Sequence, residues 1–91
     1  IGKYSIDINS RSIKNNNETL KLTQREIQII LFLKESKSPQ NIGNLQKKVW
    51  GHNSSLETHT VETHIYRLRK KILEKFKEKN FINSTKKGYI I

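Results

Sequence analysis

At 91 residues, 33% of them hydrophobic, the chain has room for one small domain with one modest core. Its 18 Lys and Arg against 8 Asp and Glu give a formal charge of +10, which points to a polyanionic partner, nucleic acid ahead of a membrane surface. Cysteine is absent, excluding disulfides and thiolate metal sites, and no run approaches the ~20 apolar residues of a membrane span. No signal-peptide pattern is present. Methionine is absent too, so a chain opening on Ile1 reads as an excised piece of something longer.

Residues 3–22 read as an antiparallel meander. Tyr4, Ile6 and Ile8 alternate with Ser5 and Asp7, the period of a half-buried strand. A polar turn at 9–11 leads to a second strand over 12–14. Asn15, Asn16 and Asn17 signal the next turn, since Asn tolerates positive φ, and a third strand follows over 19–22.

Thr23 stands three residues before Glu26, the spacing of a capping box, with Leu22 and Ile27 placed for a hydrophobic staple. The spacing predicts a first helix running to about Lys37, and Pro39 prevents its continuation. Asn41 is a suitable cap for a second helix over 42–50, with Leu45 and Val49 inward and Gly51 as its stop. The loop over 52–57 is polar and short.

Thr58 is read as the cap of a long third helix reaching Phe76. Val61, Ile65, Leu68, Ile72 and Phe76 draw one apolar stripe along it. The opposite side carries Thr60, Thr63, Tyr66, Arg67 and Lys70, flanked by Arg69 and Lys71. The major groove of DNA accepts a helix of this kind. Beyond it, Lys75, Lys77 and Lys79 interleave with Glu74 and Glu78 as a solvated helix end. Phe81 and Ile82, a polar tip over 83–87, Gly88, then Tyr89, Ile90 and Ile91 read as a β-hairpin.

His52, His59 and His64 invite a metal or catalytic reading. His59 and His64 are five apart, poor spacing for one helical face, and no paired carboxylates or Ser/His/Asp arrangement accompanies them. No enzyme activity, metal or cofactor is expected. The planar fork of Arg67 suits the two acceptors of guanine; the competing role is a surface salt bridge, for example with Glu74. Arg69 and Lys70 suit phosphates. Trp50 can pack its ring while its indole N–H reaches a phosphate. Gly88 allows a bend, and Tyr89 is expected to pack on the third helix.

The segments LTQREIQIILFL, LQKKVWG, TVETHIYRLRKKI and GYII resemble, in order and spacing, the C-terminal effector domain of OmpR/PhoB-type response regulators. The resemblance spans essentially the whole chain. It implies an α+β winged helix-turn-helix in one domain: a β-meander over 1–22, a three-helix core over 23–76 and a wing over 80–91. It also implies that the third helix lies in the major groove while the wing reaches the adjacent minor groove. Carried over by motif, Thr60, Glu62 and Arg67 face bases, and Trp50, His64, Arg69 and Tyr89 contact the backbone. The helix face adds Thr63 to the base side and His59, Tyr66, Lys70 and Lys71 to the phosphate side. Ser84, Thr85, Lys86 and Lys87 make the wing tip. The loop His52, Asn53, Ser54 and Ser55 stands where this family can touch RNA polymerase.

Three positions depart from the family pattern. His59 stands where Arg is common, Tyr66 replaces a frequently basic residue, and the wing lacks an Arg-Gly tip. The implied function is sequence-specific binding of double-stranded DNA, as the output domain of a bacterial, cytoplasmic two-component regulator. A receiver domain would lie elsewhere in the full chain, and a second copy would bind beside the first on DNA; neither a membrane nor a small-molecule substrate is involved. The rivals are a small RNA-binding protein and a protein-interaction module with a basic face. Against the first, the sheet offers Tyr4 but no pair of stacking aromatics.

Overall fold

The computed structural model describes residues 3–51 and 57–91. In chain order the elements are β1 (Ser5–Asp7), β2 (Ser12–Asn15), β3 (Glu18–Lys21), α1 (Gln24–Glu35), α2 (Ile42–Trp50), α3 (Thr58–Phe76), β4 (Asn83–Thr85) and β5 (Gly88–Ile90). The amino-terminal strands form an antiparallel sheet in the order β1-β2-β3, and β4 pairs antiparallel with β5. This is the winged helix-turn-helix that the sequence implies, with a meander ahead of it.

In the sheet, Ile6 faces Ile13 and Ile13 faces Leu20, and the central Ile13 is fully buried. The expected alternation fails at Ile8, which is 61% exposed. The cause is Asp7. Its Oδ1 accepts the backbone N–H groups of Asn9 (3.0 Å) and Ser10 (3.3 Å), turning the chain before a further strand residue forms. Those bonds, led by the ones to Ser10, hold the Asp7 carboxyl below its ordinary range. At the next turn Asn16 takes a positive φ of 57°, as the asparagine run suggests.

The Thr23–Glu26 capping box forms: Thr23 Oγ1 accepts from the Glu26 N–H at 3.2 Å and Glu26 Oε1 accepts from the Thr23 N–H at 2.8 Å. α1 stops at Glu35, short of Lys37, where the C-cap Ser36 turns extended at ψ 133°, its hydroxyl joining its N–H on the Phe32 carbonyl at 2.8 and 3.1 Å. Asn41 Oδ1 caps α2 through the Asn44 N–H at 2.8 Å, and Gly51 closes it at φ 103°. At α3 the cap is Glu57, with no side-chain capping bond, and Thr58 is already helical. The first turn closes one residue earlier than expected, with the Thr60 N–H on the Glu57 carbonyl at 2.9 Å.

The core is built from Ile13, Ile29, Ile30, Leu33, Leu45, Val61, Ile65, Leu68, Ile72 and Ile82, all essentially inaccessible to solvent. Phe81 and Ile82, expected as hairpin strand residues, are buried ahead of it instead. The rings of Phe76 and Phe81 each meet Tyr4 edge-on, with centroids 5.2 Å apart. Glu78 is more than a solvated helix end, because Tyr4 donates to it at 3.5 Å and Lys3 lies 3.7 Å away. Burial, then the Glu78 charge, pushes the Tyr4 hydroxyl above its ordinary pKa. No helix among the described residues is long and apolar enough to cross a membrane.

Candidate nucleic-acid interface

Four buried residues, Val61, Ile65, Leu68 and Ile72, fix the rotation of α3 about its axis. Side chains half a turn away must therefore face outward. Glu62, Tyr66, Arg67 and Lys70 are exposed, Tyr66 at 65%, while Thr60, Thr63 and Arg69 are half-buried. Among the described residues Arg67 forms no ion pair, so the salt bridge with Glu74 is absent, and its side chain is exposed. Thr63 differs from its neighbours: its hydroxyl donates to the His59 carbonyl at 3.0 Å, back into its own helix.

Lys71 leaves the phosphate-facing set. Its Nζ lies 2.8 Å from Glu26 Oε1, a carboxylate almost wholly buried at the start of α1. One position further round the helix than Lys70, it leans over the apolar stripe, where a buried anion is the stronger attraction. Lys70 stays exposed.

The wing is fastened to the helices by backbone. Tyr89 and Gln40 exchange both N–H···O bonds, at 2.8 and 2.9 Å, joining β5 to the segment ahead of α2. The strands approach so closely that a Cβ on Gly88 would stand 2.3 Å from the Gln40 carbonyl oxygen. Its φ of 133° independently requires glycine. Tyr89, half-buried, lines a cleft between wing and α3 together with His59, Glu62, Thr63, Tyr66 and Arg69. At the tip Thr85 Oγ1 donates to the Gly88 carbonyl at 2.9 Å and accepts from the Lys87 N–H at 3.1 Å. Ser84, Lys86 and Lys87 are left exposed.

His59 is exposed, whereas His64 meets the edge of Trp50 with ring centroids 5.1 Å apart. Arg25, which sequence reasoning missed, also stands at that ring: its guanidinium lies 5.5 Å from the Trp50 centroid. Periodicity within α1 gives no hint of it, because the contact depends on where α2 ends. The loop residues His52, Asn53, Ser54 and Ser55 lie outside the described residues.

This interface, an outward basic helix beside a wing, has known counterparts. The family described as "Transcriptional regulatory protein, C terminal" matches residues 17–91. The chain belongs to that family. It is a DNA-binding domain of the OmpR/PhoB type, and the RNA-binding and acidic-protein readings are not favoured. The probable transcriptional regulator ycf27 of Cyanophora paradoxa is 34% identical over 77 residues, covering 81% of this chain and 32% of that protein. The transcriptional regulatory protein VxrB of Vibrio cholerae is 35% identical over 74 residues, covering 75% and 28%. The chain thus spans about a third of the length of these relatives. Among solved structures, the AdeR response-regulator DNA-binding domain in complex with an intercistronic region superposes with a TM-score of 0.79 at 27% identity, covering 98% of this chain and 93% of that one. The DNA-binding domain of E. coli CadC has a TM-score of 0.85 at 24% identity, covering 98% and 85%, and shares the fold.

Proposed function

We propose that this domain binds duplex DNA sequence-specifically and is the output domain of a two-component transcriptional regulator. The observation that carries the reading is the rotation of α3. Its apolar stripe is locked into the core while Arg67, in no ion pair among the described residues, is exposed together with Tyr66 and Lys70.

In this reading α3 enters the major groove. Arg67 donates both arms of its fork to the O6 and N7 of a guanine, and Glu62 accepts from a cytosine amino group. Thr60 and Thr63 approach neighbouring base edges, Thr63 through its methyl group once its hydroxyl is held by His59. Trp50, His59, His64, Tyr66, Arg69, Lys70 and Tyr89 flank the groove and hold phosphates, fixing register without reading sequence. Ser84, Thr85, Lys86 and Lys87 meet the backbone at the adjacent minor groove. The domain catalyses nothing. A phosphoacceptor receiver elsewhere in the full-length protein controls pairing of two copies on repeated half-sites, and RNA polymerase is a further partner.

The test compares two cations with different assigned roles on a duplex recovered by selection from random DNA. Arg67→Ala is expected to weaken the preferred site by about 1–3 kcal/mol and to relax preference at one base pair. Lys87→Ala is expected to weaken all duplexes nearly equally. Equal, sequence-blind losses from both would remove Arg67 as a base reader.

A further inference from the structure

Arg25 lies at the junction of all three helices. Its Nη1 donates to the Val49 carbonyl at 2.6 Å and to Gln28 Oε1 at 3.1 Å, and its guanidinium stands 5.5 Å from the Trp50 ring centroid. Trp50 also meets His64 of α3, with ring centroids 5.1 Å apart and 67° between the ring planes. Three side chains are thus in series: a guanidinium from α1, an indole from the last residue of α2, and an imidazole from α3.

Two physical effects follow. A guanidinium against an indole, anchored by two hydrogen bonds, restricts the ring to one orientation. That orientation sets where the indole N–H points and which edge His64 meets. The second effect is electrostatic. The last carbonyls of a helix lack intrahelical partners and form its negative end. Val49 is the next-to-last residue of α2, so a phosphate held at Trp50 sits beside that negative end. Arg25 places a positive charge on the Val49 carbonyl itself.

We propose that Arg25 is a positioning residue for the DNA-phosphate seat formed by Trp50 and His64, orienting the indole and neutralising the end of α2 without touching DNA. This rests on the reading above, in which Trp50 and His64 contact phosphate.

Trp50 is the single tryptophan, so its fluorescence reports on this series alone. Duplex binding would be measured across a salt series for wild type, Arg25→Met, Arg25→Lys, Trp50→Phe and His64→Ala, with Trp50 emission recorded for all but Trp50→Phe. Arg25→Met is expected to shift Trp50 emission and weaken binding roughly 3- to 10-fold at fixed salt. The slope of log affinity against log salt should stay unchanged, because no phosphate contact is lost. Arg25→Lys, which keeps the charge but not the planar fork, should lose less, again at constant slope; it carries the test if Arg25→Met does not fold. Wild-type affinity in the folded Arg25 variants would overturn the proposal, leaving the series a packing detail. A slope shallower by about one would also overturn it, making Arg25 a direct phosphate ligand. If Trp50→Phe and His64→Ala bind like wild type, the phosphate seat itself falls, and the inference with it.

Discussion

Lys71 on α3 and Glu26 on α1 are joined by a 2.8 Å ion pair whose carboxylate oxygen, Oε1, also accepts the Thr23 N–H at 2.8 Å. One buried oxygen therefore ends the sheet, begins the first helix and holds the proposed recognition helix against it. The Glu26 side chain is only 4% exposed, whereas that of Lys71 is 39% exposed, so the pair sits at the lip of the core. Removing the cation strands a nearly buried anion, and that penalty exceeds the net worth of the pair.

Lys71→Met is accordingly expected to destabilise the fold by about 1–3 kcal/mol while leaving the salt dependence of DNA binding almost unchanged. Lys70→Ala, one residue earlier and exposed, should do the reverse. Stability should stay within about 0.5 kcal/mol, and the salt slope should become shallower by about one. Denaturant unfolding and binding titrations on both variants check the assignment. A salt slope altered by Lys71→Met and untouched by Lys70→Ala would exchange their roles.

Leu68 is the mid-stripe anchor of α3 and is completely buried. Leu68→Ala should reduce stability by roughly 2–5 kcal/mol, through lost transfer energy and the cavity left behind. Thermal unfolding measures this directly, and an unchanged midpoint would place the buried face of α3 elsewhere.

Gly88 ties the wing to the helical core. Alanine there would meet the Gln40 carbonyl at 2.3 Å and adopt a φ of 133°, so the contact cannot be relieved by rotating a side chain. Gly88→Ala should destabilise the protein by about 1–3 kcal/mol and displace the wing. In amide spectra the largest shifts should fall at residues 83–90 and at Gln40, with smaller ones in β1 to β3. Shifts spread evenly over the chain would show that the wing is not held by this approach.

Much of this architecture is legible in the sequence where the determining chemistry is local. The Thr23 capping box, the Asn41 cap, the Gly51 stop and the α3 stripe each depend on residues within about one helical turn or on strict periodicity. What sequence does not reveal is set by distant partners. Lys71 looks like one more cation on a basic helix until Glu26, 45 positions away, is brought beneath it. Arg25 looks like a first-turn surface residue until α2 ends against it. Phe81 and Ile82 fit a strand pair equally well, yet both are buried in the core, Phe81 against the distant Tyr4 ring. At the α3 start, Thr58 has the right chemistry for a cap, but the chain enters the helix one residue sooner.

In the proposed complex the outward face of α3, the flanks of the groove and the wing tip together engage the backbone of duplex DNA. The most direct test is the affinity of the chain for its preferred duplex as a function of salt, with single-stranded RNA of the same length as competitor. With about six phosphates engaged, log affinity should fall against log salt with a slope near −5, and RNA should compete poorly. A slope near zero, or preferential binding of the RNA, would rule out duplex DNA as the partner of this face.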